Sequence, residues 1–284
     1  MTACVRRVGR DGRIFGTTGG GTTAVSDDSM FKRRVGELVK RPGLVPAEAT
    51  AAAAATAMVA QDLSCLAVVA GRRVVGFVTE RDLCRRLDVD VEESTPVGEI
   101  LTRAVALVPK SMLLDEAIKV MLDRRTRHLA VLGLDGSLCG LVMDKNLVEA
   151  LAVDFMVENI ACRELVHPTA AAVSPDISVR EALAFMREKD FDAVLGVRQG
   201  KPVGIFTDRD AISRILGYPE RLAEALAGFM TSPVAGVPME AMVYKVILFM
   251  RQRGVRRVAV LAGDGCLAGL LDQQGILHYS RRMA

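Results

Sequence analysis

The chain has 284 residues, enough for two ordinary domains, and half of them are apolar, so a large core can be buried. Aromatic residues are scarce and tryptophan is absent, which leaves Val, Leu, Ala and Met to build that core. Net charge is +3, from 37 basic against 34 acidic residues, a balance that argues against nucleic acid or an anionic membrane as main partner.

Residues 1–34 include "GTTGGGTTAVSDDS", rich in Gly, Thr and Ser and without apolar period; they read as a disordered tail, and Met30 offers an alternative start. The six cysteines (Cys4, Cys65, Cys84, Cys139, Cys162, Cys266) form no C-x-x-C pair and stand in no metal-ligand spacing with a histidine. They read as reduced core residues of a cytoplasmic protein. No apolar run is long enough to span a bilayer, and no secretory signal precedes the patterned region.

From residue 35 the chain repeats itself. A Val is followed thirteen residues later by a Met in Val45–Met58, Val108–Met121, Val173–Met186 and Val237–Met250. Eight residues after each Met an apolar residue opens a strand (Leu66, Leu129, Val194, Val258), and a Gly follows ten or eleven residues on (Gly76, Gly140, Gly204, Gly269). The period is 63 to 65 residues. Each copy predicts a short strand, a helix such as "LLDEAIKVMLDRR" with 3.6-residue apolar spacing, a strand, a Gly-rich turn, a strand and a second helix such as "DAISRIL". A lead-in ("VGELV", "VGEIL", "RELV", "LAGFM") opens each copy, and "LVEALAVDFMVENIACRELV" reads as a helical connector between the second and third.

The "V-x-P" strand, the helix ending in Met, the "hAVh" strand and the Gly-hydrophobic-x-Thr-x-x-Asp segment ("FVTERDL" at 77–83, "IFTDRDA" at 205–211) resemble cystathionine β-synthase (CBS) domains over residues 35–281. The resemblance implies a mixed α/β (α+β) fold of four β-α-β-β-α repeats. Repeats 1 and 2 (35–152) and repeats 3 and 4 (153–284) would pair sheet to sheet into two Bateman modules that form a disc, within one chain or through a homodimer. It also implies clefts for adenosine-containing ligands: AMP, ADP, ATP or S-adenosylmethionine, with NAD and cyclic di-AMP open.

Thr79 and Thr207 fall at predicted helix N-caps, with Asp82 and Asp210 three residues on. A threonine hydroxyl can donate to a phosphate, and a carboxylate can accept both hydroxyls of a ribose. The same pattern is a capping box, which needs no ligand. Repeats 2 and 4 depart from it, with Met143 and Asn146, and Asp272 and Gly275. They carry instead "RRTRHLAV" and "RQRGVRRVAV", where Arg127, His128, Arg256 and Arg257 stand nearest the strand. Forked guanidinium groups suit phosphate oxygens, although arginines late in a helix also answer its dipole. The resemblance puts this corner near the ligand phosphates, so odd repeats would supply Thr and Asp and even repeats arginines, giving one cleft per module. Val45 and Val173 are expected against the adenine, with a core role as the alternative.

The three histidines (His128, His167, His278) belong to no nucleophile or metal signature, and no phosphate loop or dinucleotide fingerprint is present. The expected function is a non-enzymatic, regulatory adenine-nucleotide sensor without a cofactor of its own, acting on an effector protein or through self-association. The alternative is a ligand-free oligomerisation scaffold.

Overall fold

The computed structural model describes residues 33–71, 73–102, 105–166 and 171–283. Most of the expected tail, with Cys4, and also His167 lie outside the described residues.

Repeat 1 comprises β1 (Gly43–Pro46), α1 (Ala51–Ala60), β2 (Cys65–Ala70), β3 (Arg73–Thr79) and α2 (Glu80–Arg86). Repeat 2, led in by a short α3 (Val97–Ile100), has β4 (Ala106–Pro109), α4 (Leu114–Asp123), β5 (His128–Leu132), β6 (Leu138–Met143) and α5 (Asp144–Ala150), with α6 (Ala152–Glu158) as connector. Repeat 3 contains β7 (Ala172–Val173), α7 (Val179–Glu188), β8 (Ala193–Arg198), β9 (Lys201–Thr207) and α8 (Asp208–Arg214). Repeat 4 contains β10 (Gly236–Pro238), α9 (Val243–Arg253), β11 (Arg257–Leu261), β12 (Leu267–Asp272) and α10 (Gln273–Met283). Each repeat folds one three-stranded sheet, its first pair parallel and its second an antiparallel hairpin.

Local chemistry accounts for the elements. In α4, Leu114, Ala117, Ile118, Met121 and Leu122 are buried, an apolar stripe at helical spacing. The alanine run of α1 combines the best helix former with the same stripe, burying Ala51, Ala54, Ala55 and Met58. A Ser178–Glu181 capping box starts α7, and Gly254 in the left-handed region ends α9.

The lead-ins exchange partners. Arg34 and Lys40, ahead of repeat 1, bridge to Leu113 and Leu141 of repeat 2. Pro96 and Thr102, ahead of repeat 2, bridge to Thr50 and Phe77 of repeat 1. Ala161–Met242, Ser178–Ala225 and Ile205–Thr231 repeat the exchange in the second module. This close approach is why the hairpins need glycine: a Cβ on Gly140 would collide with the Lys40 carbonyl oxygen, and one on Gly204 would lie 2.8 Å from Met230 Cβ.

Sheets join the two repeats of the first module, and helices join the modules. Cys65, Ala67 and Phe77 of repeat 1 pack on Ala130 and Leu141 of repeat 2. One large core then combines repeats 1 and 3, around Met58, Leu83, Leu183 and Phe206. The other combines repeats 2 and 4 around Met121, Leu147, Ile247 and Leu277, with the connector's Phe155 fully buried in it. The four units thus form a disc whose two cores both straddle the module boundary. Of the cysteines, Cys65, Cys84 and Cys162 are buried as expected, whereas Cys139 is exposed at the outer end of the β5–β6 hairpin.

Candidate functional site

Both Thr-x-x-Asp segments form closed caps. Asp82 N donates to Thr79 Oγ1 (3.1 Å), while Thr79 N and Oγ1 donate to Asp82 Oδ2 (2.8 and 2.7 Å). Asp210 N, Thr207 N and Thr207 Oγ1 repeat the pattern at 3.2, 2.9 and 2.7 Å. A third residue completes each group. Thr102 Oγ1 donates to Asp82 Oδ1 at 2.9 Å, and Thr231 Oγ1 to Asp210 Oδ1 at 3.0 Å. Sequence reasoning missed both threonines, although each stands six residues before the first-strand Val of an even repeat, in "LTRAVALVP" and "MTSPVAGVP".

In the second module this group opens on a cavity of about 810 Å³. Thr207, Asp210, Thr231, Arg256 and Arg257 all line it, and Val234, Ala235 and Gly236 add an apolar stretch leading into β10. Asp62, Glu80, Arg127 and Lys145 of the first module also reach it, so the cavity extends to the module boundary. The structure therefore brings Thr207 and Asp210 together with Arg127, Arg256 and Arg257. From repeat 1 it presents Glu80 to this space, with Thr79 and Asp82 away from its wall.

The arginines already have acidic partners. Arg257, buried, forks onto Asp192 with both Nη–Oδ distances at 2.6 Å. Arg127 pairs with the same Asp192 and lies 3.7 Å from both Asp144 and Asp272. Arg256 Nη1 donates to Glu80 Oε2 at 3.2 Å. Arg209, in the first turn of α8, crosses the module boundary; its Nε donates to Glu80 Oε1 at 2.6 Å, and it also pairs with Asp62. Asp208, buried beside Cys84, has its pKa pushed up by burial against the pull of Arg81.

Three expected ligand contacts are placed elsewhere. His128 is buried 2.9 Å from Ser64 Oγ at the repeat 1–repeat 2 boundary. Burial drives its pKa down to about 4, so it is a neutral hydrogen-bonding residue rather than a cation for phosphate. Val45 lies in the core shared by repeats 1 and 3, and Val173 packs on the same core half-buried. The reason is strand parity: neighbouring residues face opposite sides, so choosing the V of "V-x-P" chose the helix-facing side. The other face belongs to the preceding residue. Leu44 and Leu107 pair with Ala67 and Ala130 of the sheet-to-sheet layer and are 62% and 60% exposed. Gly236 holds that place in repeat 4 and lines the cavity. In repeats 2 and 4 the caps are Met143 N to Asn146 Oδ1 (3.1 Å) and Gly275 N to Asp272 Oδ1 (2.8 Å). Among the described residues no His, Cys, Asp and Glu cluster could hold a metal ion, and no helix is long and apolar enough to cross a membrane.

Four repeats with a two-repeat sheet interface define a tandem pair of Bateman modules, and the comparisons agree. The CBS domain family matches residues 35–89, 97–153, 157–217 and 224–282, and the chain belongs to that family. It is similar to a 33.4 kDa protein encoded in a ribosomal RNA operon of Thermofilum pendens, 31% identical over 170 residues, a match covering 56% of this chain and 56% of the relative. The chain thus spans little more than half the length of that relative. Its fold is similar to protein MJ1225 of Methanocaldococcus jannaschii (TM-score 0.77, 19% identity, 87% of this chain and 100% of that one). It is also similar to a conserved protein from Pyrococcus horikoshii (TM-score 0.62, 19% identity, 87% and 99% covered).

Proposed function

We propose that the chain is a regulatory, non-catalytic nucleotide sensor whose ligand, an adenosine nucleotide, occupies the second-module cavity. The observation that carries this reading is one space of about 810 Å³ lined by Thr207, Asp210 and Thr231 together with Arg256 and Arg257. Asp210 would accept the ribose hydroxyls, Oδ1 exchanging the Thr231 hydroxyl for one of the sugar's. The arginines would meet the phosphates, and the backbone at Val234–Gly236 would face the base. Thr79, Asp82 and Thr102 form a matching group in the first module, a second site in the same reading. Output would pass to an effector protein in the cytoplasm or through self-association, because binding shifts the disc only if the ligand prefers one arrangement of the modules.

The ligand-free scaffold remains as second reading, favoured by one observation: both Asp210 oxygens and the guanidinium groups of Arg127, Arg256 and Arg257 already have partners inside the chain. Thermal melting with millimolar AMP, ADP, ATP and S-adenosylmethionine separates the two. A ligand of the native state raises the melting point by mass action. The sensor reading expects a rise with at least one of them, reduced in Asp210→Ala; a flat response to all four supports the scaffold.

A further inference from the structure

Two of the acids that hold the cavity's Arg127, Arg209, Arg256 and Arg257 come from other repeats than the arginines they hold and do not take part in the ribose-binding group. Asp192 of repeat 3 is shared by Arg257 of repeat 4 and Arg127 of repeat 2. Glu80 of repeat 1 is shared by Arg256 of repeat 4 and Arg209 of repeat 3. Both carboxylates are buried, and both lie on the cavity wall. A carboxylate gripped by a guanidinium fork occupies the geometry that a phosphate takes on the same fork. A phosphate arriving at these arginines must therefore displace a carboxylate or share its cation. Asp192–Arg127, Glu80–Arg256 and Glu80–Arg209 also cross between modules, so any exchange loosens contacts that tie the two halves of the disc.

Resting on the nucleotide reading of this cavity, we propose that Glu80 and Asp192 are built-in competitors of the nucleotide's phosphates, setting both the affinity of the cleft and its preference for phosphate number. Each carboxylate is a fixed anion at a site the ligand needs. Its removal frees positive charge at that site and lowers the cost of binding in proportion to the charge the ligand brings. The base and sugar contacts, at Gly236 and Asp210, are untouched.

The test is calorimetry of the full chain with ATP, ADP, AMP and adenosine, on the parent, Asp192→Asn and Glu80→Gln. Asp176→Asn, which loses only the exposed pair with Arg198, is the control. ATP affinity is expected to rise about tenfold in Asp192→Asn or Glu80→Gln. The gain should shrink from ATP to ADP to AMP and vanish for adenosine, while Asp176→Asn matches the parent. Should Asp192→Asn fail to fold, Glu80→Gln decides, since Arg209 then keeps Asp62 and its 3.1 Å bond to the Leu63 carbonyl oxygen. A parent that binds and variants that bind ATP no better overturn this proposal and leave the nucleotide reading intact. An equal gain for adenosine also overturns it, because that marks general loosening. Variants that bind ATP where the parent does not would support it. No binding by any of the proteins would sink the proposal together with the reading beneath it.

Discussion

His128 carries a sign-definite consequence at the scale of one residue. Burial lowers its folded-state pKa to about 4, with Arg256, Arg127 and Lys145 opposing its protonation and Asp144 favouring it. The unfolded chain takes up a proton near pH 6.5, the folded one only near 4. Stability tied to His128 is therefore fully present above pH 6.5 and is lost as pH falls toward 4. Melting curves of the parent and His128→Gln, which can still bond Ser64, should converge between pH 6.5 and 5; parallel curves would contradict a neutral buried His128. A second residue, Gly236, should set access to the cleft. Leucine there, as repeat 2 has at Leu107, is expected to weaken nucleotide binding by roughly tenfold or more through lost space, read by calorimetry, with unchanged affinity contradicting the role given to this strand. These residues also mark how far the sequence could be read. Thr207, Asp210, Arg256 and Arg257 were legible because each sits in a repeated local pattern. Val45 and Val173 were misplaced because a one-residue change of parity alters the face without altering the pattern. The partners of the arginines were illegible: Asp192 lies 65 positions from Arg257, and Glu80 176 from Arg256, and nothing local links them.

Among elements, the period and the strand–helix–hairpin–helix order could be read directly, because apolar spacing and glycine turns are local signals. The exchange of lead-ins could not. "VGELV" looks like the opening of its own repeat, yet its hydrogen bonds go to Lys110 and Met112 of the next. Only the glycines of the hairpins hint at a close neighbour, and they do not say which one. Gly204→Ala should therefore lower the melting point although it adds a better strand-compatible side chain, since its Cβ meets Met230; a stable variant would show that the lead-in can shift. The connector is likewise more than a link. Phe155 of α6 is fully buried, its ring centred 6.1 Å from that of Tyr279 of α10 and tilted against it. Phe155→Ala is expected to cost about 3–5 kcal/mol, measurable by denaturant unfolding, and a cost below about 1 kcal/mol would contradict a structural connector.

For the whole molecule, the two cores matter most. Each combines a repeat from one module with a repeat from the other, so neither module owns a complete core. An isolated second module would expose half of both cores, a patch far larger than monomers tolerate. Residues 159–283 alone are expected to dimerise or aggregate, as light scattering can report; a stable monomer would contradict the packing described. The same boundary carries the charged network that reaches the cavity, so the cavity lining and the module contact share one set of side chains. In the function proposed above, Asp210 grips a nucleotide in that cavity. Titration calorimetry of ATP, ADP, AMP and S-adenosylmethionine into the parent and Asp210→Ala tests it most directly. Saturable binding of at least one ligand, lost by tenfold or more in the variant, is the expected result; binding that survives the substitution unchanged would contradict the claim.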